Sequence, residues 1–276
     1  MKRFLCALLM LVCLFSFASC KKDENTGSTT TPTTTESLTV TVTFPEGLTV
    51  KEVAELLEKN KVCTAGEFIT LSNDITFLKA LGYSFFDGIK KAEKRPFVLE
   101  GYIFPDTYEF YRYEGAEAAL KRFLDNTQLK LTPEYTKRAK TLGFSIDEII
   151  TLSSIIQEEA SEHRFMADVS SVLHNRLESD YNRLECDVSI NYINNCIKAS
   201  PYISYSEDRA TAYYDTYERN GLPLGAICNP GIHAIEAALF PNDTDYLFFV
   251  TDEDWNYYFN ETWEAHDAKC RELGIY

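Results

Sequence analysis

Polar and apolar positions along the chain change rhythm several times, and each change marks an expected element. Ser37–Pro45 (SLTVTVTFP) alternates Leu, Val, Val and Phe with Thr, the period of two that a half-buried strand needs. At Leu48-Thr49 the rhythm turns helical, with Val53, Leu56 and Leu57 on one face of VKEVAELLEKN. Ala65–Leu71 and Thr76–Leu81 read as further short helices. At KKAEKRP (90–96) charge rises and a proline arrives, a soft boundary closing a small strand–helix module. Beyond it helices are expected at Ala116–Asn126, Pro133–Leu142, Ser145–Glu162 and Arg164–Leu177. The remainder reads as short strands mixed with loops rich in Pro, Gly and Asn, with Asp245–Asp252 the clearest strand. A terminal helix is expected over Thr262–Leu273. The expected class is α+β, dominated by helices in the middle.

The first 36 residues follow other rules. MKRFLCALLMLVCLFSFASCKK carries Lys2 and Arg3, then an apolar stretch from Phe4 to Ala18 and small residues before Cys20. By length and flanks residues 1–20 are a secretory leader, too short for a span of roughly 20 apolar residues. The ending Phe17-Ala18-Ser19-Cys20 resembles a bacterial lipobox, which implies a lipidated Cys20 as the first mature residue. Residues 21–37, polar and Thr-rich, are expected to form a flexible tether between a lipid anchor in the membrane and the folded part. The chain is therefore expected to work outside the cytoplasm, attached to the membrane.

Composition narrows the picture further. With 45% hydrophobic and 13% aromatic residues the chain has ample material for a buried core. A formal charge of −15, with no basic stripe, argues against nucleic acid as a partner. Of eight cysteines, Cys63, Cys186, Cys196, Cys228 and Cys270 remain after the leader and Cys20. No pair has CxxC spacing, and the four histidines (163, 174, 233, 266) form no HExxH, so no metal site is expected. Cys186 and Cys196 are the most local pair for a disulfide, although buried free thiols suit these positions better.

Chemistry is suggested by TLSSIIQEEASEHRF (151–165). Ser145-Ile-Asp-Glu148 has the form of a capping box, so a helix should begin near Ile146. At ~100° per residue, Ile146, Ile149, Ile150, Leu152, Ile156 and Ala160 share one broad face. Glu158 then lands almost opposite that face, toward solvent, and Glu159 at its edge beside Ile155 and Ile156. A carboxyl half-sunk against aliphatic side chains loses hydration, which raises its pKa toward the range of a general acid. A plain structural Glu fits the same position, and His163, four residues on, offers an ordinary ion pair. No GxSxG elbow marks a serine hydrolase.

Several ordered blocks carry a resemblance. LEGYIFPDTYEF (99–110), SSIIQEEA (153–160), SVLHNRLESDYNRLECDVSINY (171–192), YYDTYERNGLPLGAICNPGIHAIEAALFP (213–241), YLFFV (246–250) and TWEAH (262–266) are similar to the blocks of the endolytic murein transglycosylases, the YceG-like family. The resemblance implies a LysM-like subdomain over 38–95, of the type that holds N-acetylglucosamine-containing polymers, and a catalytic domain over 96–276. It implies Glu159 as the catalytic acid. Peptidoglycan glycan strands are the implied substrate, peptidoglycan synthases a second class of partner, and no cofactor is needed. Glu100, Tyr102, Asn175, Arg176, Asp187, Tyr217 and Asn229 lie in the matching blocks and are implied to bind substrate, with Arg176–Asp187 also a candidate scaffold pair and Gly231 a candidate positive-φ turn.

The implied reaction uses one carboxyl twice. Glu159 would protonate the oxygen between MurNAc C1 and the next GlcNAc, then accept the proton of the sugar's own C6 hydroxyl as it closes on C1, leaving a 1,6-anhydro end. Two alternatives stay open, a water-using muramidase with Glu100 or Asp187 as second carboxylate and a non-catalytic peptidoglycan-binding lipoprotein. Departures from the family pattern fall at Asp215, Leu224, Glu185, Cys186 and Tyr257.

Overall fold

The computed structural model describes residues 37–160 and 162–275. The leader, Cys20 and the Thr-rich tether up to residue 36 lie outside the described residues. The Val/Thr alternation forms strand β1 (Thr39–Thr43), which pairs antiparallel with β2 (Thr107–Tyr111), Val42 facing Tyr108 and Thr43 facing Thr107. The sequence pattern assigns no element to the TYEFY stretch, although Tyr108 and Phe110 alternate with polar residues and are the two buried positions of β2. Phe44 and Phe123 close the inner face edge to face at 5.0 Å. β1 precedes the 90–96 segment and β2 follows it, and the chain from Ser37 onward packs as one compact unit.

Helix starts follow their caps. Helices α1 (Val50–Lys59) and α2 (Ala65–Ser72) begin at capping boxes, Thr49 with Glu52 and Thr64 with Glu67. After α3 (Ile75–Ala80) and two 3-10 turns come α4 (Ala116–Lys130) and α5 (Pro133–Thr141), the latter with Thr132 as cap and Pro133 in its first turn. Helix α6 (Ile146–Glu159) starts at the Ser145/Glu148 box. Its last helical residue is Glu159, three residues earlier than the pattern suggests, because Ala160 turns to extended backbone and α7 (His163–Glu178) begins anew. His163 therefore shares no helix with Glu159. Its ring lies 3.5 Å from the Glu46 carboxylate and 4.1 Å from the ring of His233.

The stretch read as strands and loops also contains helices. It holds α8 (Asp187–Tyr192), a π-helix (Ile193–Lys198), α9 (Glu207–Tyr214) and α10 (Ile232–Leu239). These helices are short, and α8 and α10 start at Cys186 and Gly231 without a side-chain cap, so neither length nor cap betrays those two, whereas α9 starts at a Ser206 cap. A hairpin of β3 (Phe248–Thr251) and β4 (Tyr257–Asn260) then leads into α11 (Trp263–Leu273). Mixed, helix-rich architecture with small sheets is what the α+β expectation describes. All five cysteines among the described residues are free thiols. No described helix is long and apolar enough to cross a membrane.

Helix α6 is the middle of the molecule. Ile149, Ile150, Leu152, Ile155 and Ile156 are at most 1% exposed, each a contribution of ~1.5–3 kcal/mol from burial. The helix packs chiefly on α10, with α5, α7 and α8 around it. Its start is pinned by Asp147, buried at the positive end of the helix dipole. Asp147 accepts two hydrogen bonds from the Arg95 guanidinium and one from the Tyr102 hydroxyl at 2.8 Å. Its later polar side chains hold the 227–231 loop. Ser154 Oγ accepts from Ile227 N–H (3.0 Å) and Gln157 Oε1 from Gly231 N–H (3.0 Å).

That loop is fixed again from behind. Asn229 Oδ1 accepts from the backbone N–H groups of Gly101 and Ile103, and its Nδ2 donates to Leu48 O at 2.7 Å. Gly101, at φ +89°, brings the LEGY turn so close that a Cβ would sit 2.5 Å from Ile150 Cγ2 and 2.6 Å from Ala226 Cβ. Gly231, by contrast, has ordinary negative φ (−77°), so the expected left-handed turn is at Gly101 rather than there.

Asp147→Ala would leave a buried guanidinium without its counter-charge. Urea unfolding is expected to show a loss of about 3–5 kcal/mol, and Arg95→Met/Asp147→Leu together less than half of that. A single variant within 1 kcal/mol of the parent would remove this pair from the constraints that hold α6.

Candidate active site

The two neighbouring carboxylates part at the end of α6. Glu159 opens into a cleft of ≈ 250 Å³ that it shares with Arg176, Cys186, Asp187, Tyr217 and Trp263. Glu158 lines a separate, smaller cleft of ≈ 170 Å³ with Thr49, Glu52, Tyr192 and Cys228. Glu158 is exposed, as the helix wheel suggests, and stands at the rim of that second cleft. Ile227 and Cys228 of the 227–231 loop and the start of α1 form other walls of that cleft.

Burial pushes the Glu159 carboxyl up to about 7. The Cys186 thiol donates to it and opposes the rise, the negative charge of Asp187 adds to it, and the nearby Arg176 guanidinium again opposes it. The C-terminal position on α6 acts in the upward direction as well, because the helix dipole disfavours an anion there. Tyr257 donates its hydroxyl to the Glu159 carbonyl at 2.6 Å, capping an orphan acceptor of the last turn. Glu158 is also raised by burial, with Cys228 opposing and Glu52 adding. Of the two, Glu159 has the chemistry of a carboxyl that keeps or yields its proton near neutral pH.

The opposite wall is built by α8 and the loop after α9. Thr216, fully buried, accepts from Cys186 N–H (2.9 Å) through its hydroxyl and from Glu185 N–H (3.2 Å) through its carbonyl. This knot fixes the start of α8 against the following Tyr217, whose hydroxyl donates to Asp187 at 2.7 Å. Glu185 itself takes a left-handed backbone (φ 48°) beside the site, the local strain that functional loops tolerate. Arg176 reaches the cleft from α7, donating to Leu184 O (2.5 Å) and Leu247 O (2.6 Å). The expected Arg176–Asp187 ion pair does not form, since each is already engaged elsewhere.

The residues singled out from the sequence thus fall into two groups. Glu159, Arg176, Asp187 and Tyr217 converge on one cleft. Asn175 lies behind it, donating to Thr244 O and Tyr246 O and holding the segment that leads into β3. Glu100, Tyr102 and Asn229 lie in the interior, each no more than 1% exposed. Glu100 accepts from Val50 N–H (2.8 Å) and the Tyr192 hydroxyl (3.1 Å), and burial raises its carboxyl to about 8. It seats the N-terminus of α1, whose dipole favours a carboxylate.

Sequence reasoning passes over Trp263, His266, Phe248 and Cys186 as wall residues of the cleft. Cys186 stands at a place where the family pattern has Ser, the one available signal for it. The others come from β3 and α11, distant in sequence from every carboxylate considered. No group of ligands among the described residues could hold a metal ion.

Comparison with known proteins identifies the family. The YceG-like family matches residues 23–272, nearly the whole chain, and the chain belongs to that family. It is 30% identical to the endolytic murein transglycosylase of Bacillus subtilis over 85% of this chain and 65% of that one. The endolytic murein transglycosylase of Streptococcus pneumoniae is 26% identical over 91% and 47% of the two chains. The chain thus spans between about half and two thirds of these relatives' length. A crystal structure of a YceG-like protein from Listeria monocytogenes superposes with a TM-score of 0.69 at 28% identity, covering 83% of this chain and 75% of that one.

The raised Glu159 carboxyl has a consequence for stability. Between its ordinary value of 4.5 and about 7 the unfolded chain has lost this proton while the folded chain keeps it, so this residue costs stability as pH rises through that window. Glu159→Gln removes that cost. Thermal unfolding at pH 8 is expected to move up by about 3–8 °C, with no gain at pH 4. Equal melting temperatures at pH 8 would mean that Glu159 titrates as an ordinary surface carboxyl.

Proposed function

We propose that this protein is an endolytic lytic transglycosylase that cuts peptidoglycan glycan strands between MurNAc and GlcNAc and leaves 1,6-anhydro-MurNAc ends. The single observation that carries the reading is Glu159, a half-buried carboxyl at a helix end, raised to about 7 in an open cleft, in a chain of the YceG-like family. The names of its relatives in Bacillus subtilis and Streptococcus pneumoniae supply the substrate class.

In this reading protonated Glu159 donates to the glycosidic oxygen as the C1–O bond breaks and positive charge grows at C1. The resulting carboxylate then takes the proton of the C6 hydroxyl as that oxygen bonds to C1, which returns Glu159 to its starting state and consumes no water. The pKa near 7 suits both halves, since neither donation nor acceptance is strongly uphill. Asp187 carries the charge that would steady the developing cation, with Tyr217 holding it in place. Asp187 is also the carboxylate that a water-using muramidase would recruit as partner. Its engagement by Tyr217 favours the electrostatic role. The segment 38–95 is proposed as a LysM-like module for the same polymer, and the fold is proposed to be tethered outside the cytoplasm through lipid on Cys20. Strand-length control beside the peptidoglycan synthases is the proposed setting.

Mass spectrometry of strands digested by the chain from Ser37 onward tests the reading. Anhydro ends are expected; reducing ends would instead establish a muramidase, and intact strands a binding protein. Glu159→Gln is expected to lower the rate by at least about 10³-fold. Because the acid must be protonated, kcat/KM should fall as pH rises through about 7. A Gln variant with parental turnover would move the chemistry to another residue.

A further inference from the structure

Exposed aromatic rings gather around the Glu159 cleft. Trp263 is 56% exposed and Tyr217 40%, and both line it. Tyr181, 43% exposed, extends the same wall, its ring 6.2 Å from Phe248 and 5.4 Å from the Arg176 guanidinium. Large rings left in water lose the burial that normally retains them, so their position on one cleft calls for a ligand with an apolar surface.

Trp263 is also held rather than loose. It opens α11 directly after the Thr262 cap, whose hydroxyl accepts from Ala265 N–H at 3.3 Å. Its indole meets Phe248 edge to face at 5.8 Å and His266 at 5.6 Å, while Phe248 and His266 stack on each other at 5.3 Å. Three rings thus brace one another, and more than half of the outermost stays exposed. A braced ring loses little freedom when a flat, partly apolar ligand settles on it.

A pyranose ring has that surface. Its axial C–H bonds form an apolar face, and its hydroxyls leave the edge for polar partners such as Asp187 and Arg176. We propose that Trp263, with Tyr217 on the same cleft, is the sugar platform that binds pyranose rings of the strand by their C–H faces while Glu159 reacts. The proposal rests on the glycan-cleaving reading above and adds the residue that supplies binding.

The chain has two tryptophans, and Trp255 sits exposed in the β3–β4 turn, away from the cleft wall. In Trp255→Phe/Glu159→Gln protein the emission reports Trp263 alone and strands are not consumed. Titration with soluble, peptide-free strands of alternating GlcNAc and MurNAc is expected to give a saturable blue shift. In steady-state cleavage, Trp263→Ala should raise KM about ten-fold, the effect of ~1.4 kcal/mol of contact, with kcat within two-fold. Trp263→Phe should recover most of the loss. Parental KM in Trp263→Ala together with a silent titration would overturn the platform while cleavage stands. If the parent neither cleaves nor binds strands, the glycan reading fails and the platform with it.

Discussion

Everything in this molecule is arranged around the need to bury α6 on all sides. A helix carrying Ile149, Ile150, Leu152, Ile155 and Ile156 within three turns cannot rest on a surface with one face wet. Neighbouring helices must close over it, and its polar residues must find partners inside. Asp147 finds Arg95 and Tyr102, Ser154 and Gln157 find the 227–231 loop, and the two carboxylates come last, where the shell ends. The position of Glu159 is thus a by-product of core packing. A carboxyl at the open end of a fully enclosed helix is desolvated without being sealed.

The polar interior around this helix acts as a frame rather than a binding surface. Asn229 ties the α1 entry, the Gly101 turn and its own loop in one set of hydrogen bonds, and Glu100 joins α1 to α8 through Val50 and Tyr192. Such groups are costly when left unpaired, so the frame is rigid once complete. That rigidity explains how residues far apart in the chain can hold a cleft: Glu159 on α6, Tyr217 after α9 and Trp263 on α11. The motif residues that point inward support those that point outward.

Several features were legible in the chain before any coordinate. The capping box at Ser145 announces its helix because the signal is local, two side chains answering two backbone groups, and the structure shows the same device at Thr49 and Thr64. The Val/Thr alternation of β1 is local as well. Illegible were β2, α8, α9 and α10, short segments whose form depends on a partner far along the chain. A wheel drawn on α6 separates Glu159 from Glu158 and sends Glu158 to solvent, as the structure has it, but a wheel knows one helix and not the segments that line the cleft beside it.

The sequence by itself determined where the longer helices start, that α6 would carry one broad apolar face, and that Glu159 would stand at the edge of that face. Family likeness carried by ordered blocks added the chemistry. Only the tertiary structure decided that α6 stops at Glu159, that Asp187 answers Tyr217 rather than Arg176, and that Glu100 and Asn229 are interior struts. It alone brought Trp263 to the cleft. The reason is range: capping and periodicity act within a turn or two of chain, whereas desolvation, charge pairing and cleft walls are set by segments that meet only after folding.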